Sequence, residues 1–184
     1  MAITLVPLDP AGADRSALID FMSGNEFPFH VRTRPGAGTV AASIDDGEYD
    51  NEDTKSFWLD DSQLGRIGFV ALEDLTDPTP LFDLRIASEH RGRGLGTAAL
   101  TAITHHVFTT LPVTRFEGQT RADNYAMRTV FLRCGWVKEA HYRESWPVEN
   151  EPPVASVAYA LLRRDWESGT TTPVPFDDFT LTQN

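Results

Sequence analysis

SEHRGRGLGTAAL, residues 88–100, sets three glycines and two arginines immediately ahead of an apolar helical pattern. A glycine-rich turn at a helix start leaves backbone N–H groups unpaired at the positive end of the helix dipole, and that combination binds anions, phosphate above all. Glycine is required because a Cβ would hold the phosphate away from the backbone. Arg91 and Arg93 add charge-assisted donors. A Walker loop is excluded: Thr97 follows Gly96 with no lysine between them. A dinucleotide fingerprint is satisfied in letters by Gly94, Gly96 and Ala99, with Glu117 about 20 residues on. That fingerprint opens directly after a strand, whereas here Ser88–Arg91 intervene and an antiparallel pattern precedes them. A nicotinamide enzyme therefore stays the weaker alternative, and three turn glycines without a ligand is the plain one.

Outward from this stretch, ITLVPL reads as a first strand and DRSALIDFMSGN as a helix with Leu18, Ile19 and Met22 at helical spacing, stopped at Gly24. NEFPFHVRTRPGAGT reads as a loop and TVAASIDDG as a short second helix. TKSFWLDD and LGRIGFVALEDL alternate as two antiparallel strands turning near Asp61–Ser62, and PLFDLRIA is a fourth strand. After the glycines a helix runs to about Thr110 with the stripe Ala99, Ile103, Val107 and Leu111. VTRFEGQT is a fifth strand. DNYAMRTVFLRCG is a helix with Asp123 or Asn124 as N-cap and Gly135 as left-handed C-cap. WVKEAHYRESW and VASVAYALLRRDW are two last strands. The order predicts an α/β fold of α+β type: a mixed, mostly antiparallel sheet with one β-α-β crossover and helices on both faces. One domain is expected over 1–166, with an irregular tail over 167–184.

Composition bounds the function. The 184 residues suffice for one domain with a substantial core. Sixteen basic against 27 acidic residues give a net charge of −11, which argues against a nucleic-acid binder. Asp45–Asp61 carries eight carboxylates and one lysine, either a solvated loop or a field for cationic substrates. No run approaches a membrane span and the start lacks a signal-peptide pattern. A single cysteine, Cys134, excludes an internal disulfide and a cysteine zinc site. These absences lead to the expectation of a cytoplasmic protein with no metal and no membrane or nucleic-acid partner.

Arg91-Gly92-Arg93-Gly94-Leu95-Gly96 matches R/Q-x-x-G-x-G/A, and Asn124 followed by Gly135-Trp136 comes at the appropriate distance. In these motifs and their order the sequence resembles the GNAT superfamily of acyl-CoA N-acyltransferases, from the first strand to about Trp166. TRADNYAMRTVFLRCGWVKEAHYRESW is most similar to the branch containing the ribosomal-protein N-terminal acetyltransferases. The resemblance implies a GNAT-like sheet in which the fourth and fifth strands splay apart. It implies acetyl-CoA as co-substrate, its pyrophosphate on the backbone of Arg91, Gly92, Arg93, Gly94, Leu95, Gly96 and Thr97. Backbone N–H at Ile86 or Ala87 would face the thioester carbonyl, and Asn124 would contact the cofactor arm while also capping its helix. The implied partner is an amine-bearing small molecule or a protein N-terminus. Family members often pair through their C-terminal strands, so a homodimer is expected.

The implied reaction is direct attack of a primary amine on a thioester in a ternary complex, and the amine must lose a proton. Many family members carry a tyrosine four residues before the helix-ending glycine; here that position is Phe131, which cannot do acid chemistry. The catalytic candidates are then Glu117, as base or water-holder with an ion pair to Arg115 or Arg121 as the other reading, and His30. Glu26, Phe27, Phe29 and Tyr142 are the acceptor-site candidates, with core packing as the alternative for the aromatics. Cys134 lies on the apolar stripe of its helix and reads as a small buried hydrophobe. Without an unambiguous base, a non-catalytic acyl-CoA sensor is the second hypothesis.

Overall fold

In the computed structural model, which describes residues 2–176, the chain forms β1 (Ile3–Pro7), α1 (Arg15–Gly24), α2 (Ala37–Asp45), β2 (Lys55–Asp61), β3 (Gly65–Glu73) and β4 (Leu81–Ile86). A 3-10 turn at Ser88–His90 follows, then α3 (Leu95–Thr110), β5 (Arg115–Arg121), α4 (Tyr125–Arg133), β6 (Val137–Val148), β7 (Glu151–Leu162) and α5 (Arg163–Ser168). The expected order holds up to β7, but the last strand ends at Leu162. RRDWES turns into α5, so an irregular tail from residue 167 is corrected: the boundary at 166 falls inside a helix. Trp166 explains it, packing on Phe108 at 5.4 Å and on His105 at 5.8 Å. Arg163 donates to the carbonyls of Phe108, Leu111 and Val113, which closes the C-terminal end of α3 onto the sheet. Residues 177–184 of the expected tail lie outside the described residues.

The strands divide into two antiparallel sheets, β1-β2-β3-β4 and β5-β7-β6, with no ladder between β4 and β5. The two strands meet at one point, where the Glu117 N–H donates to the Pro80 carbonyl at 3.2 Å. Each face of the four-stranded sheet has its own core. Leu59, Ile67, Val70 and Leu72 pack with Leu95, Ile103 and Val107 of α3 on one side. Trp58, Phe69 and Ala71 pack with Leu18 and Met22 of α1 and Val40 of α2 on the other. Among the described residues no helix is long and apolar enough to cross a membrane.

Aromatic rings fill the fork between the sheets. Phe82 of β4 lies 5.3 Å from Phe116 and 5.8 Å from Trp136, and Phe131 of α4 stacks on Tyr159 of β7 at 4.7 Å with an interplanar angle of 6°. Phe131, in the position where the resemblance led to the expectation of a tyrosine, is thus fully buried in the core. Gly118 of β5 is the residue that lets these rings in: a Cβ there would stand 2.6 Å from the Phe82 ring and 2.7 Å from that of Phe131. Gly118→Val should overpack the fork and cost roughly 1–3 kcal/mol, measured by chemical denaturation; an unchanged midpoint would contradict this packing.

Candidate active site

The edge of β4 that β5 leaves open is the frame of the site. Ala87 donates its N–H to Ile67 of β3 at 2.9 Å. Antiparallel ladders alternate, so the N–H groups of Ile86 and Leu84, one and three residues back, point away from β3 into the fork. Ala87 therefore drops out as an oxyanion donor, its N–H spent in the ladder, while Leu84 joins Ile86. A cleft of about 440 Å³ runs along this edge and is lined by Leu84, Ile86, Phe27, Phe29, His30, the glycine turn, and Asn124, Met127 and Val130 of α4.

The glycine turn closes one end. Gly92 and Gly94 have φ of +74° and +79°, a left-handed geometry that side chains with a Cβ avoid. Gly94 caps α3. Thr97 spends its N–H on the Gly94 carbonyl and Arg91 on Ser88. Among the described residues no bond takes the N–H of Gly92, Arg93 or Gly94, and Leu95 and Gly96 open the first helical turn, whose N–H groups have no helical partner. Five consecutive donors, Gly92 to Gly96, are thus free to hold a diphosphate. Gly96 has a second reason to be glycine, because a Cβ would meet Val130 of α4 at 3.2 Å. Leu95 is buried in the core.

The arginines behave differently from the expectation. Arg91 donates through Nε to the Ile86 carbonyl at 2.9 Å, reaches the Glu26 carbonyl with a terminal nitrogen, and lies over the Phe27 ring at 5.4 Å. Its guanidinium ties the α1–α2 loop to the end of β4. Arg93 is exposed and outside the cleft lining. Asn124 keeps both expected tasks within reach: its Oδ1 accepts from Met127 N–H at 3.1 Å as the cap of α4, its Nδ2 donates to Thr120 at 2.9 Å, and it lines the cleft.

Past Leu84 the cleft opens into a chamber of about 540 Å³ that shares Phe29, His30, Leu84, Arg85, Asn124 and Met127 with it and adds Arg32, Glu48, Glu73, Asp83 and Trp146. Of the two catalytic candidates only His30 stands there, at the junction. Its Nε2 is 2.9 Å from Asp83 Oδ1, and its Nδ1 is buried without a partner. Glu117 lies outside both linings, bound to Arg115 at 2.7 Å and to Gln119 at 3.0 Å on the opposite side of β5 from Phe116. Phe29 lines both spaces, with Arg121 over its ring at 5.5 Å. Phe27 lines the cleft from a fully buried position. The Glu26 side chain is exposed and pairs with Arg34. Tyr142 is 45% exposed and touches neither space; two extra residues of β6, with Glu144 at φ +52°, separate it from Trp146, which does line the chamber. Cys134 is half-buried, and burial raises its thiol pKa, which suits the expected inert role.

Two carboxylates of the chamber escaped the reading of the sequence. Asp83 is opposed by burial, but Arg85, in a two-pronged contact at 2.7 and 2.9 Å, and His30 override it and hold its pKa far below the ordinary range. Glu73 has no such partner, and burial first, then Asp83 and Asp74, push it up to about 7. A signal for Asp83 exists in FDLRI, where Phe82, Leu84 and Ile86 take one face and leave Asp83 and Arg85 together on the other. None exists for Glu73, a strand-end carboxylate like any other.

Gly94→Val should lower acetyl-CoA affinity about 5- to 30-fold, given a left-handed penalty of about 1–2 kcal/mol; calorimetry showing wild-type affinity would refute the loop assignment. Glu73 binds its proton more tightly in the fold than unfolded, so its cost to stability grows between about pH 4.5 and 7 and is constant above. The gain in melting temperature from Glu73→Gln should therefore appear across that window; a gain independent of pH would contradict the burial of its charge.

Comparison with known proteins agrees with this geometry. A model of the acetyltransferase (GNAT) domain matches residues 3–137. The sequence matches none of the curated proteins. Among solved structures, a chimera of the Vibrio cholerae spermidine N-acetyltransferase superposes with a TM-score of 0.76 at 19% identity, over 91% of this chain and 99% of that one. The Vibrio cholerae enzyme in complex with CoA and spermine gives 0.72 at 20%, over 90% and 98%. A dodecameric structure of the same enzyme gives 0.70 at 19%, over 89% and 95%. These likenesses reach the superfamily and not the ribosomal-protein branch. With the fold, the glycine turn and the open strand edge all in place, the chain belongs to the GNAT family of acetyltransferases, which use acetyl-CoA to acetylate amines.

Proposed function

We propose that this protein acetylates the primary amine of a small cationic molecule by direct attack within a ternary complex. The observation that carries the reading is a cleft with diphosphate donors at one end beside a charged chamber, with His30 lining both. Gly92 to Gly96 would hold the diphosphate, and Asn124 and the β4 edge the cofactor arm. Acetyl-CoA supplies the thioester, whose thiol, with a pKa of about 8.5, needs little help in leaving. The N–H groups of Leu84 and Ile86 are the donors for the carbonyl oxygen as charge develops on it. The spermidine and spermine enzymes among the similar structures support a small cationic acceptor over a protein N-terminus.

His30 is the proposed base. Donation of Nε2–H to Asp83 leaves the lone pair on Nδ1, the junction's unpartnered polar atom. As the N–C bond forms and the C–S bond breaks, the amine proton passes to Nδ1, and Asp83 stabilises the resulting cation. The free edge of β6 is the proposed surface for a homodimer.

Purified protein given acetyl-CoA and a panel of amines should release free thiol. Tight acetyl-CoA binding with no release for any amine would leave a sensor instead of an enzyme. His30→Gln should cut kcat by about 10²-fold or more with acetyl-CoA affinity unchanged; a kcat within twofold of wild type would remove His30 from this role.

A further inference from the structure

Two carboxylates of the chamber, the exposed Glu48 and the half-buried Glu73, have no side-chain partner among the described residues, and Glu73 is the one withdrawn from solvent. Glu73 ends β3, half-buried, on the wall of the chamber and of an adjoining recess of about 240 Å³ beneath α2. Among the described residues no hydrogen bond or ion pair engages it. The cations nearby do not neutralise it. Arg85 and His30 are both committed to Asp83, and Arg32, which also lines the chamber, is exposed. Tyr49, whose hydroxyl pKa burial raises, brings no positive charge. A carboxylate left at this depth without a cation is costly to the fold, and a cationic ligand removes the cost.

Strand register fixes how far this charge lies from the reacting end. Leu84, whose N–H faces the cleft, is opposite Val70, and Glu73 is three residues further along β3. At ~3.4 Å per residue the two points are roughly 10 Å apart. Phe82, Leu84, Met127, Phe29 and Trp146 line the chamber together with the polar Asp83, Arg85, Gln119 and Thr120. The apolar part of this lining suits the methylenes of a chain that carries an amine at each end, one at the acylation point and one at the anion.

We propose that Glu73 holds the distal ammonium of a linear diamine or polyamine while its other nitrogen is acetylated beside His30. The assignment rests on the acetyl-transfer reading and adds to it a residue that decides the acceptor. A monoamine of equal length fills the same passage but leaves Glu73 unpaired. The diamine therefore gains a charge-assisted contact that the monoamine lacks.

The test compares putrescine and cadaverine with butylamine and pentylamine, on wild-type protein and Glu73→Gln. Wild type should show a KM at least tenfold lower for the diamines. Glu73→Gln should raise the diamine KM about tenfold or more, as for loss of a charge-assisted bond. It should leave the monoamine KM and the acetyl-CoA affinity within about twofold of wild type, within the spread of a neutral change, and Glu73→Asp should recover part of the diamine preference. Equal effects on mono- and diamines, or none, would overturn the proposal. Calorimetric titration of putrescine into the protein saturated with coenzyme A reads the same contact without turnover. If the wild type binds putrescine there and Glu73→Gln does not, Glu73 holds the amine even where catalysis fails; equal affinities would remove it.

Discussion

An unpaired strand edge is what the molecule is organised around. β4 gives one side of its backbone to β3 and, beyond Pro80, no strand takes the other, where only the Arg91 side chain reaches the Ile86 carbonyl. Backbone donors inside a protein are ordinarily satisfied, so leaving Leu84 and Ile86 open requires the surrounding structure to prevent closure. The rings of Phe82, Phe116, Phe131 and Trp136 do this by filling the fork, and Gly118 admits them. The same rings explain why position 131 carries no acid here: its side chain is part of the wedge, stacked on Tyr159, and cannot also face the cleft.

The charged groups divide between holding the site together and serving it. Arg91 spends its guanidinium on two backbone carbonyls and the Phe27 ring, so that the α1–α2 loop roofs the cleft. Asp83 fixes the His30 ring from the strand below. The acidic run from Asp45 to Asp61 is in good part structural, with Asp45 bound to Arg15, Asp53 to Thr76, and Asp61 closing the β2–β3 turn through the N–H groups of Gln63 and Leu64. Only Glu48 of that run reaches the chamber mouth. The other carboxylates that line the chamber come instead from the end and middle of strands, where hydropathy alternation conceals them.

Local chemistry made much of this legible without coordinates. Glycines at 92, 94 and 96 before an apolar stripe can scarcely mean anything but a left-handed turn into a helix, and Asn124 with Gly135 frames α4 because caps depend on the immediate backbone. The order of strands and helices along the chain follows from periodicity in the same way, whereas the division into two sheets with β7 between β5 and β6 does not. What only the tertiary structure decided depends on contacts between distant residues. RRDWES continues an apolar strand in sequence but turns helical because Trp166 finds Phe108. In one dimension Glu117 is the leading candidate base and His30 the second; Arg115 pairs with the first outside the cleft, while Asp83, 53 residues from His30, holds the second in it. Glu73 acquires its character solely from burial beside Asp83 and from the lack of a cation, because a carboxylate's proton affinity is set by its neighbours in space, and the order of residues along the chain does not name them.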